Sequence, residues 1–318
     1  MTRIAVTGAT GFVGRSLVAR LQHESVDVLA LTRSRPAGVS PINTSFVSCD
    51  YFDTPSLADL LSTCDVVVHL AALAHNVSRS SSAYVMNDYR RANCASLVSV
   101  ARAASQAGVS RLVFVSSIGV NGSATDGTPF TEADQPLPSE PYAVTKLEAE
   151  RALEEELRDS LTDWVVLRPP LIYGPGCPGN LERLIRLTSS APLLPFGSVN
   201  SLRTLISIDN LIDAILIAAH HTAVSRRVFV VADSEDIDVA GILKAMLLGL
   251  GRGTWRLLPV PPPFLGFLFV LLGKKSLWKK FSGELRVDSS SFSRATGWLP
   301  VVRPQDGLRL TAAFTRLV

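Results

Sequence analysis

The stretch TGATGFVG, residues 7–14, decides the fold of this chain. It follows a β-rich run, residues 3–7, and opens an apolar-periodic helix. Gly8 permits a tight turn, Gly11 lets the backbone approach a pyrophosphate, and Gly14 lets helix and strand pack closely. The start of the helix adds free N–H groups and a favourable dipole for an anion. Strand, loop and helix together predict a dinucleotide-binding unit.

Apolar strands alternate with helical segments after this loop, which is typical of βαβ units and a doubly wound parallel sheet. The run DVVVHL is almost entirely apolar, as expected of a parallel strand covered on both faces. The predicted helices are Phe12 to about Gln22, Ala83–Gln106 and Tyr142–Glu156, and the predicted later strands are Val26–Thr32, Ser45–Cys49, Asp65–Leu70, Arg111–Val115 and Trp164–Leu167.

Composition places the chain among ordinary folded proteins. Of 318 residues, 47% are hydrophobic and 19% are charged. The net charge of +3, with scattered basic residues, gives no indication of a nucleic-acid partner. The four cysteines show no metal-ligand spacing, so we expect reduced thiols and no metal. No signal-peptide pattern is present at the N-terminus, and we expect a cytoplasmic location.

The residues after the second strand bear on the choice of cofactor. An acid there would bond the ribose 2′-hydroxyl of NAD, but this chain has Leu31-Thr32-Arg33-Ser34-Arg35. Arg33 and Arg35 can hold a 2′-phosphate, which favours NADP over NAD; the alternative is that both are solvated surface charges. Asp50 is placed to meet the adenine or to cap the next helix.

A second motif, Tyr142-Ala143-Val144-Thr145-Lys146, indicates proton transfer. Tyr142 and Lys146 share one face of a helix, and a lysine cation lowers the pKa of a neighbouring tyrosine. Ser117 follows a buried strand, where its hydroxyl can bond a reacting oxygen. The alternatives are a chance YxxxK and a serine that only caps a turn. Behind a dinucleotide loop, the set predicts redox chemistry on a carbon that bears a hydroxyl.

The chain resembles the extended short-chain dehydrogenases/reductases, in the UDP-galactose 4-epimerase-like branch that modifies nucleotide sugars. The matching residues are TGATGFVG, His69-Leu70-Ala71-Ala72, Asn93, VSSIGVNG, YAVTK, Arg168-Pro169, Tyr173-Gly174-Pro175-Gly176 and Gly297-Trp298-Leu299-Pro300, and they span nearly the whole chain. The resemblance implies Ser117, Tyr142 and Lys146 as the catalytic set, with NAD or NADP as cofactor. Together with the two arginines, the predicted cofactor contacts are Gly8, Thr10, Gly11, Phe12, Val13, Gly14, Arg33, Arg35, Asp50, Tyr51, Leu70, Ala71, Ala72, Asn93, Tyr142, Lys146 and Arg168.

We therefore expect an α/β fold with a Rossmann-like doubly wound parallel sheet and a smaller C-terminal lobe that binds substrate. The regular alternation breaks after Arg168 into loops rich in glycine and proline. The expected domains are 1–168 for the dinucleotide, with parts of the later chain returning to it, and 169–318 mainly for the substrate. The crevice between them is the expected ligand site.

The resemblance also implies a nucleotide diphosphate under the smaller lobe, and hence a UDP-sugar as the partner molecule. Asn180 and Arg203 match residues that contact it, and Arg286 is a second candidate arginine. The alternative for Arg203 is an ion pair with a nearby acid. Ser117, Asn121 and Tyr142 are the expected contacts of the sugar. A homodimer through the two long helices is a further expectation from the family.

Three reactions share this scaffold: dehydration, epimerisation at C4 and ketoreduction at C4. Ile118-Gly119 stands where 4,6-dehydratases carry Asp-Glu, which argues against dehydration. The arginines favour a ketoreductase and the overall resemblance favours an epimerase. Val120-Asn121-Gly122, in place of Val-Tyr-Gly, suggests an N-acetylated sugar such as UDP-GlcNAc or its 6-deoxy-4-keto derivative. A non-catalytic NADP-binding sensor ranks below both because the catalytic set is retained.

One segment stands apart, PVPPPFLGFLFVLLG at residues 259–273, followed by four lysines. Its apolar run, residues 264–272, is too short to cross a bilayer, which needs about 20 residues. We expect a buried or half-buried helix; the alternative is a patch that touches a membrane surface through lysines and apolar side chains. This segment also leaves open a lipid-linked sugar diphosphate as substrate.

Overall fold

A computed structural model describes residues 2–33, 43–74 and 82–317. Its strands are β1 Arg3–Thr7, β2 Asp27–Thr32, β3 Thr44–Ser48, β4 Val66–His69, β5 Arg111–Val115, β6 Asp163–Arg168, β7 Leu171–Tyr173, β8 Leu202–Arg203, β9 Leu205–Ser207, β10 Arg227–Val230 and β11 Ile237–Asp238. Its helices are α1 Phe12–His23, α2 Thr54–Leu61, α3 Ser82–Tyr89, α4 Ser96–Gln106, α5 Pro141–Glu156, α6 Asn180–Ser190, α7 Ile208–His220, α8 Val239–Gly249, α9 Pro262–Leu271, α10 Lys275–Ser282, α11 Ser290–Thr296 and α12 Pro304–Leu317.

The main sheet of the described residues has seven strands in the order β3-β2-β1-β4-β5-β6-β10. Every neighbouring pair is parallel, so the sheet is the doubly wound one that the sequence predicts. Strand order reverses between β1 and β4, and ligands of such sheets bind at the carboxyl ends of the strands at that point. The glycine loop follows β1, which places it at this crevice.

Helices cover both faces of the sheet and bury its apolar side chains. One core lies under α1 and α7, and the other lies under α2, α4 and α5. The strand β4, three valines and His69, is buried along its length, as expected of a strand that contributes to both cores.

The predicted long helical segment from Ala83 to Gln106 is helical throughout, but it is not a uniform α-helix. A π-helical turn, Arg90–Ala95, separates α3 from α4. This turn contains Asn93, whose buried side chain bonds to groups outside the helix. One extra residue per turn is a common way to aim such a side chain, and apolar periodicity carries no sign of it.

The chain beyond β6 builds a second layer of structure beside the sheet. Strands β7 and β9 pair in parallel, β8 and β11 pair antiparallel, and α8 packs on α12 around a separate apolar cluster. The chain also returns to the main sheet, where β10 pairs with β6 as its last strand.

Helix α9 is less buried than the expected buried or half-buried helix. Among its ten residues, Leu265 alone is buried, and Phe267 and Leu271 are 67% and 71% exposed. The outer face of α9 is thus apolar and exposed to solvent, whereas its apolar composition predicts burial. Within residues 2–33, 43–74 and 82–317, no helix is long and apolar enough to cross a membrane.

Candidate active site

The glycine loop is closed tightly against the end of β4. Gly8 has φ +67°, which favours glycine, and a Cβ there would lie 2.7 Å from the backbone nitrogen of Ala71. A Cβ on Gly14 would overlap the Gly8 carbonyl oxygen. Gly11 has more room, since its Cβ would lie 3.2 Å from that oxygen. Gly8 and Gly14 therefore serve the tight turn and the close packing that their spacing predicts, and the role of Gly11 towards a pyrophosphate stays a prediction.

The N-terminus of α1 is suited to an anion. Gly11 caps the helix without any side-chain hydrogen bond from the described residues, and the first turn carries no acid. Its N–H groups are therefore left for a ligand, and the helix dipole favours negative charge there. Thr10 and Gly11 are exposed, Phe12 and Val13 are half-buried, and Gly14 is buried. These residues fit a dinucleotide pyrophosphate.

A threonine that the motif search did not single out fixes the far side of this cradle. The Thr7 hydroxyl accepts hydrogen bonds from the backbone N–H groups of Leu70 and Ala71, at 3.2 and 3.3 Å. It also shares a 3.0 Å hydrogen bond with Nδ1 of His69, whose pKa burial lowers to about 3. His69 is therefore neutral. The Thr7 hydroxyl that it bonds holds Leu70 and Ala71 against the loop, while Ala72 is exposed.

The region after β2 and β3 forms the expected adenosine end of the cleft. Arg33 is exposed at the end of β2 and lines a cavity of about 320 Å³ with Asp50. Asp50 accepts a 3.0 Å hydrogen bond from the Phe52 N–H in a local turn, and Asp53, rather than Asp50, caps α2. Arg35 lies outside the described residues.

Tyr51 lies under the glycine loop and is buried. Its hydroxyl accepts a 3.1 Å hydrogen bond from the Gly8 N–H and donates one of 3.0 Å to the Leu31 carbonyl. The side chain thus joins the loop to β2. Burial raises the pKa of Tyr51 to about 12, so it remains a neutral structural link.

The structure brings the three predicted catalytic residues to one edge of the sheet. Tyr142 stands in the first turn of α5, and Nζ of Lys146 lies 5.8 Å from the centre of its ring. Lys146 also donates a 2.9 Å hydrogen bond to the Val115 carbonyl, at the end of β5. Ser117 follows two residues later, and its hydroxyl accepts a 3.1 Å hydrogen bond from the Gly119 N–H.

Gly119 links the serine segment to the tyrosine helix. A Cβ on Gly119 would lie 3.3 Å from Cβ of Ala143 and 3.4 Å from the Ser117 hydroxyl oxygen. Ser117 and the first turn of α5 are therefore in close contact at this point. Neither Ile118 nor Gly119 supplies the acid that dehydration needs.

The protonation states differ from the simple expectation that a lysine cation lowers the pKa of Tyr142. Burial raises the pKa of Tyr142 to about 12 and lowers the pKa of Lys146 to about 7, against a smaller opposing effect of Glu150. The lysine is only 2% exposed, so its positive charge is itself disfavoured. In the protein alone, desolvation outweighs the attraction between the pair.

Arg168 has a different environment from the predicted cofactor contact. It is 4% exposed and forms a two-pronged ion pair with Glu150, at 2.6 Å for its shortest contact, while another of its nitrogens donates to the side chain of Asn121 at 3.1 Å. Glu150 also accepts a hydrogen bond from the Ser116 hydroxyl. This buried cluster lies behind Ser117 and fixes the segment that carries it.

Asn121, a predicted substrate contact, belongs to the same cluster. Its amide nitrogen donates to the Thr131 carbonyl at 2.7 Å, and its oxygen accepts from Arg168. The side chain is 1% exposed, so both of its ends are engaged inside the protein. The structure therefore places it as a support of the site rather than as a group directed into the cleft.

Asn93 also acts through its neighbours in the structure. Its side-chain oxygen accepts a 2.7 Å hydrogen bond from the Leu73 N–H, and its nitrogen donates to Leu73 and to the Thr145 hydroxyl. These bonds join the segment after β4 to α5. They set the distance between the cofactor cradle and the helix that carries Tyr142 and Lys146.

The residues predicted to contact the nucleotide diphosphate, Asn180, Arg203 and Arg286, lie on the second layer. Asn180 is exposed at the first residue of α6. Arg203 is half-buried on β8, where burial lowers its pKa, and it pairs with the backbone of Leu285, so Arg286 lies on the adjoining segment. Arg286 is ion-paired with Asp236 at 2.7 Å.

Sequence reasoning missed the supporting residues of the site. Glu150 stands four residues after Lys146, which itself follows Tyr142 by four, so a stripe of polar residues at helical spacing was its only signal. Thr7 is the first residue of the TGATGFVG motif, but the motif gave no indication of what its hydroxyl bonds. In the part of the chain that the structure describes, no cluster of His, Cys, Asp and Glu could hold a metal ion.

Comparison with known proteins shows the family of this chain. A profile of the NAD dependent epimerase/dehydratase family matches residues 4–232. The UDP-glucose 4-epimerase of Vibrio cholerae is 36% identical over 97% of this chain and 94% of its own length. A ketoreductase of Stigmatella aurantiaca that acts on a farnesylated dihydroquinoline oxide is 26% identical over 96% of this chain and 94% of its own. The structure of MoeE5 in complex with UDP-glucuronic acid and NAD is 26% identical, covers 99% of both chains and has a TM-score of 0.76.

The chain belongs to the NAD-dependent epimerase/dehydratase family, within the extended short-chain dehydrogenases/reductases. The predicted family, the α/β fold and the enzymatic nature of the protein are confirmed. The glycine loop, the helix N-terminus and the Tyr142–Lys146 pair are the parts of this chain that fit the NAD-type cofactor of the family.

Proposed function

We propose that this enzyme is a nucleotide-sugar 4-epimerase that works through a 4-keto sugar, with a UDP-N-acetylhexosamine as substrate. The observation that carries the proposal is the meeting of Ser117, Tyr142 and Lys146 beside the glycine loop. The 36% identity to a UDP-glucose 4-epimerase supports the reaction type.

When bound, the dinucleotide would supply the hydride acceptor and donor for C4 of the sugar. Tyr142 acts in its phenolate form, which the positive charge of a protonated Lys146 favours: it takes the proton from the 4-hydroxyl and later returns it to the same oxygen, while Ser117 bonds that oxygen throughout. Lys146, held by the Val115 carbonyl, keeps the tyrosine in place and supplies positive charge when protonated. Ile118-Gly119 adds no acid or base, so the sugar keeps its 6-hydroxyl.

The preference for an N-acetylated sugar rests on position 121. The Asn121 side chain is drawn towards Arg168 and Thr131, and it is smaller than the tyrosine common at this place in the family. That difference leaves space for a 2-acetamido group. The Vibrio cholerae relative argues for UDP-glucose instead.

Substrate preference is tested by giving the purified enzyme UDP-GlcNAc and UDP-glucose under the same conditions. We expect kcat/KM to be higher for UDP-GlcNAc by at least about tenfold, the size that one pocket contact can supply. A clear preference for UDP-glucose would contradict the proposed sugar without affecting the reaction type.

The second candidate is an NADPH-dependent 4-ketoreductase that acts on a UDP-2-acetamido-2,6-dideoxy-4-hexulose. Exposed Arg33, in the segment Leu31-Thr32-Arg33-Ser34-Arg35 that carries no acid at the end of β2, favours NADP, and a relative across nearly the whole chain is a ketoreductase. An epimerase keeps its cofactor between turnovers, whereas a reductase exchanges it. Denaturing the purified enzyme and identifying any released dinucleotide separates the two: tightly held NAD supports the epimerase, and empty protein that binds NADPH supports the reductase.

Tyr142→Phe tests the catalytic assignment against a non-catalytic sensor. We expect turnover to fall by about 10² to 10⁴-fold, since the proton carrier is lost while the ring is retained. Dinucleotide binding, followed by fluorescence, should persist. Unchanged turnover would refute the role of Tyr142.

The remaining proposals concern the setting of the enzyme. We infer a reducing, cytoplasmic location from the four cysteines, all of which are free thiols in the structure. The proposed homodimer uses the outer faces of the two long helical segments, residues 83–106 and 142–156, which the ion pairs Arg90–Glu148 and Arg102–Glu156 join into one surface. No nucleic acid is part of the proposal.

A further inference from the structure

Helix α9 turns an apolar stripe towards solvent. Phe264, Phe267, Leu268 and Leu271 recur at helical spacing, and they are 60%, 67%, 37% and 71% exposed. A surface helix of a globular protein normally carries polar residues on that face. We call these four side chains the α9 stripe. Such a contiguous exposed apolar surface marks a site of interaction.

The α9 stripe is held in place from behind. Leu265 is buried in a cluster with Leu194 and Phe196, and the ring of Phe269 contacts that of Trp278 on α10 at 5.7 Å. A Cβ on Gly266 would lie 2.9 Å from the Trp278 indole nitrogen, so α9 and α10 are in close contact. The two helices, which we call the α9–α10 hairpin, are therefore packed against the rest of the fold, and the outer face of the hairpin is preformed.

The charge next to the stripe is of one sign. The chain has six lysines, and four of them occur at positions 274, 275, 279 and 280, directly after α9. Lys274, Lys275 and Lys279 are exposed. No Asp or Glu occurs between Asp238 and Glu284. Elsewhere the chain uses arginine for nearly all its positive charge, so this cluster is a local departure.

We propose that the α9–α10 hairpin docks this enzyme on a membrane surface that contains anionic lipid. The α9 stripe enters the boundary between headgroups and acyl chains, with the helix lying in the plane of the membrane. The lysines meet the anionic headgroups. Ten helical residues reach about 15 Å, far less than a bilayer, so the helix lies on the membrane and does not span it.

The same charge pattern argues against a second copy of the chain as the occupant. In a symmetric dimer the same patch faces itself, so two clusters of lysines would meet without any acid from this segment. Anionic lipid complements the cluster instead. The segment after α10 contains Leu285, which pairs with Arg203 of β8, and Arg286, which is ion-paired with Asp236. The hairpin is therefore joined to the second layer, and docking through the hairpin brings that layer to the membrane.

The test is sedimentation of the full-length protein with vesicles of phosphatidylcholine alone or with 30% phosphatidylglycerol. We expect binding to the anionic vesicles to be at least about tenfold tighter and to weaken at high salt, because several lysines contribute. Phe264→Ser/Phe267→Ser/Leu271→Ser should reduce this binding by at least about tenfold. Lys274→Glu/Lys275→Glu should remove the preference for anionic vesicles, and it keeps the proposal testable if the triple variant folds poorly.

Matched controls use exposed side chains elsewhere: Leu161→Ser/Leu299→Ser for the apolar change and Lys244→Glu for the charge. Both should bind vesicles as the wild type does, with unchanged melting temperature. Wild-type protein that stays in the supernatant with anionic vesicles would overturn the proposal. So would a triple variant that changes from dimer to monomer by light scattering while wild type and variant bind lipid equally, because the stripe would then be a protein interface.

Discussion

Lys146, which we propose to be catalytic, is almost completely buried. Its Nζ is bonded to the Val115 carbonyl and lies over the rings of Phe114 and Tyr142, at 4.5 and 5.8 Å from their centres. Glu150, one turn further along α5, is the nearest source of compensating charge. Burial lowers the pKa of Lys146 from 10.5 to about 7, which ties the protonation of this residue to the stability of the fold.

This linkage predicts how stability varies with pH. Between about pH 7 and pH 10.5 the unfolded chain binds a proton at Lys146 that the folded chain does not, so the free energy of unfolding should rise as pH rises. Lys146→Met should remove that contribution and flatten the dependence. Urea unfolding of both proteins at pH 7.5 and 9.5 measures it. Parallel changes in the two proteins would contradict the lowered pKa.

At the scale of the element, two glycines of the β1–loop–α1 unit have different roles, one in packing and one at the ligand surface. Gly14 has no room for a Cβ, which would overlap the Gly8 carbonyl oxygen, whereas Gly11 has a helical-boundary φ of −73° and a looser contact. Gly14→Ala should lower the free energy of unfolding by about 1–3 kcal/mol, the usual cost of overpacking, and weaken dinucleotide binding. Gly11→Ala is the matched change at the ligand surface.

For Gly11→Ala we expect a melting temperature close to that of the wild type but a dinucleotide affinity at least about tenfold weaker, since the methyl group meets the approaching phosphate. Thermal melts and titration with NADH and NADPH measure both effects. Equal losses of stability in the two variants would show that both glycines serve packing alone.

The same unit shows what sequence can predict and why. Strand, glycine loop and helix are adjacent in the chain, so their spacing determines the geometry, and the YxxxK pair lies on one helix. Arg168 was assigned to the cofactor because its partner Glu150 comes from another element, and only the packed fold shows that the two meet. For α9, composition predicts an apolar helix but does not reveal that nothing in the described residues covers its outer face.

At the scale of the whole molecule, a ladder of aromatic rings fastens the C-terminal segment to the sheet. Trp298 contacts Phe292 edge-on at 5.5 Å, and Phe292 contacts Phe229 of β10 at 5.3 Å. All three rings are buried. Edge-to-face pairs of this kind add to the burial of large apolar area, so residues near the C-terminus stabilise the dinucleotide-binding sheet.

Trp298→Ala should therefore lower the free energy of unfolding by about 3–5 kcal/mol, the usual cost of removing a large buried ring. We expect it to weaken dinucleotide binding as well, because the sheet edge and the site share one core. Urea denaturation followed by circular dichroism measures the first effect and fluorescence titration the second. If the variant were as stable as the wild type, the contacts of Trp298 and its C-terminal segment with the sheet would contribute nothing to stability.

The position of β10 in the sheet has a consequence for synthesis on the ribosome. Strand β6 is complete at residue 168, but its outer neighbour begins at residue 227, about 60 residues later. At roughly 5–20 residues per second, the apolar edge of β6 waits for several seconds without its partner. Edges of that kind readily pair with other chains. A slow stretch of translation within this interval would prolong the exposure, and chaperones that bind nascent chains would be needed most at that point.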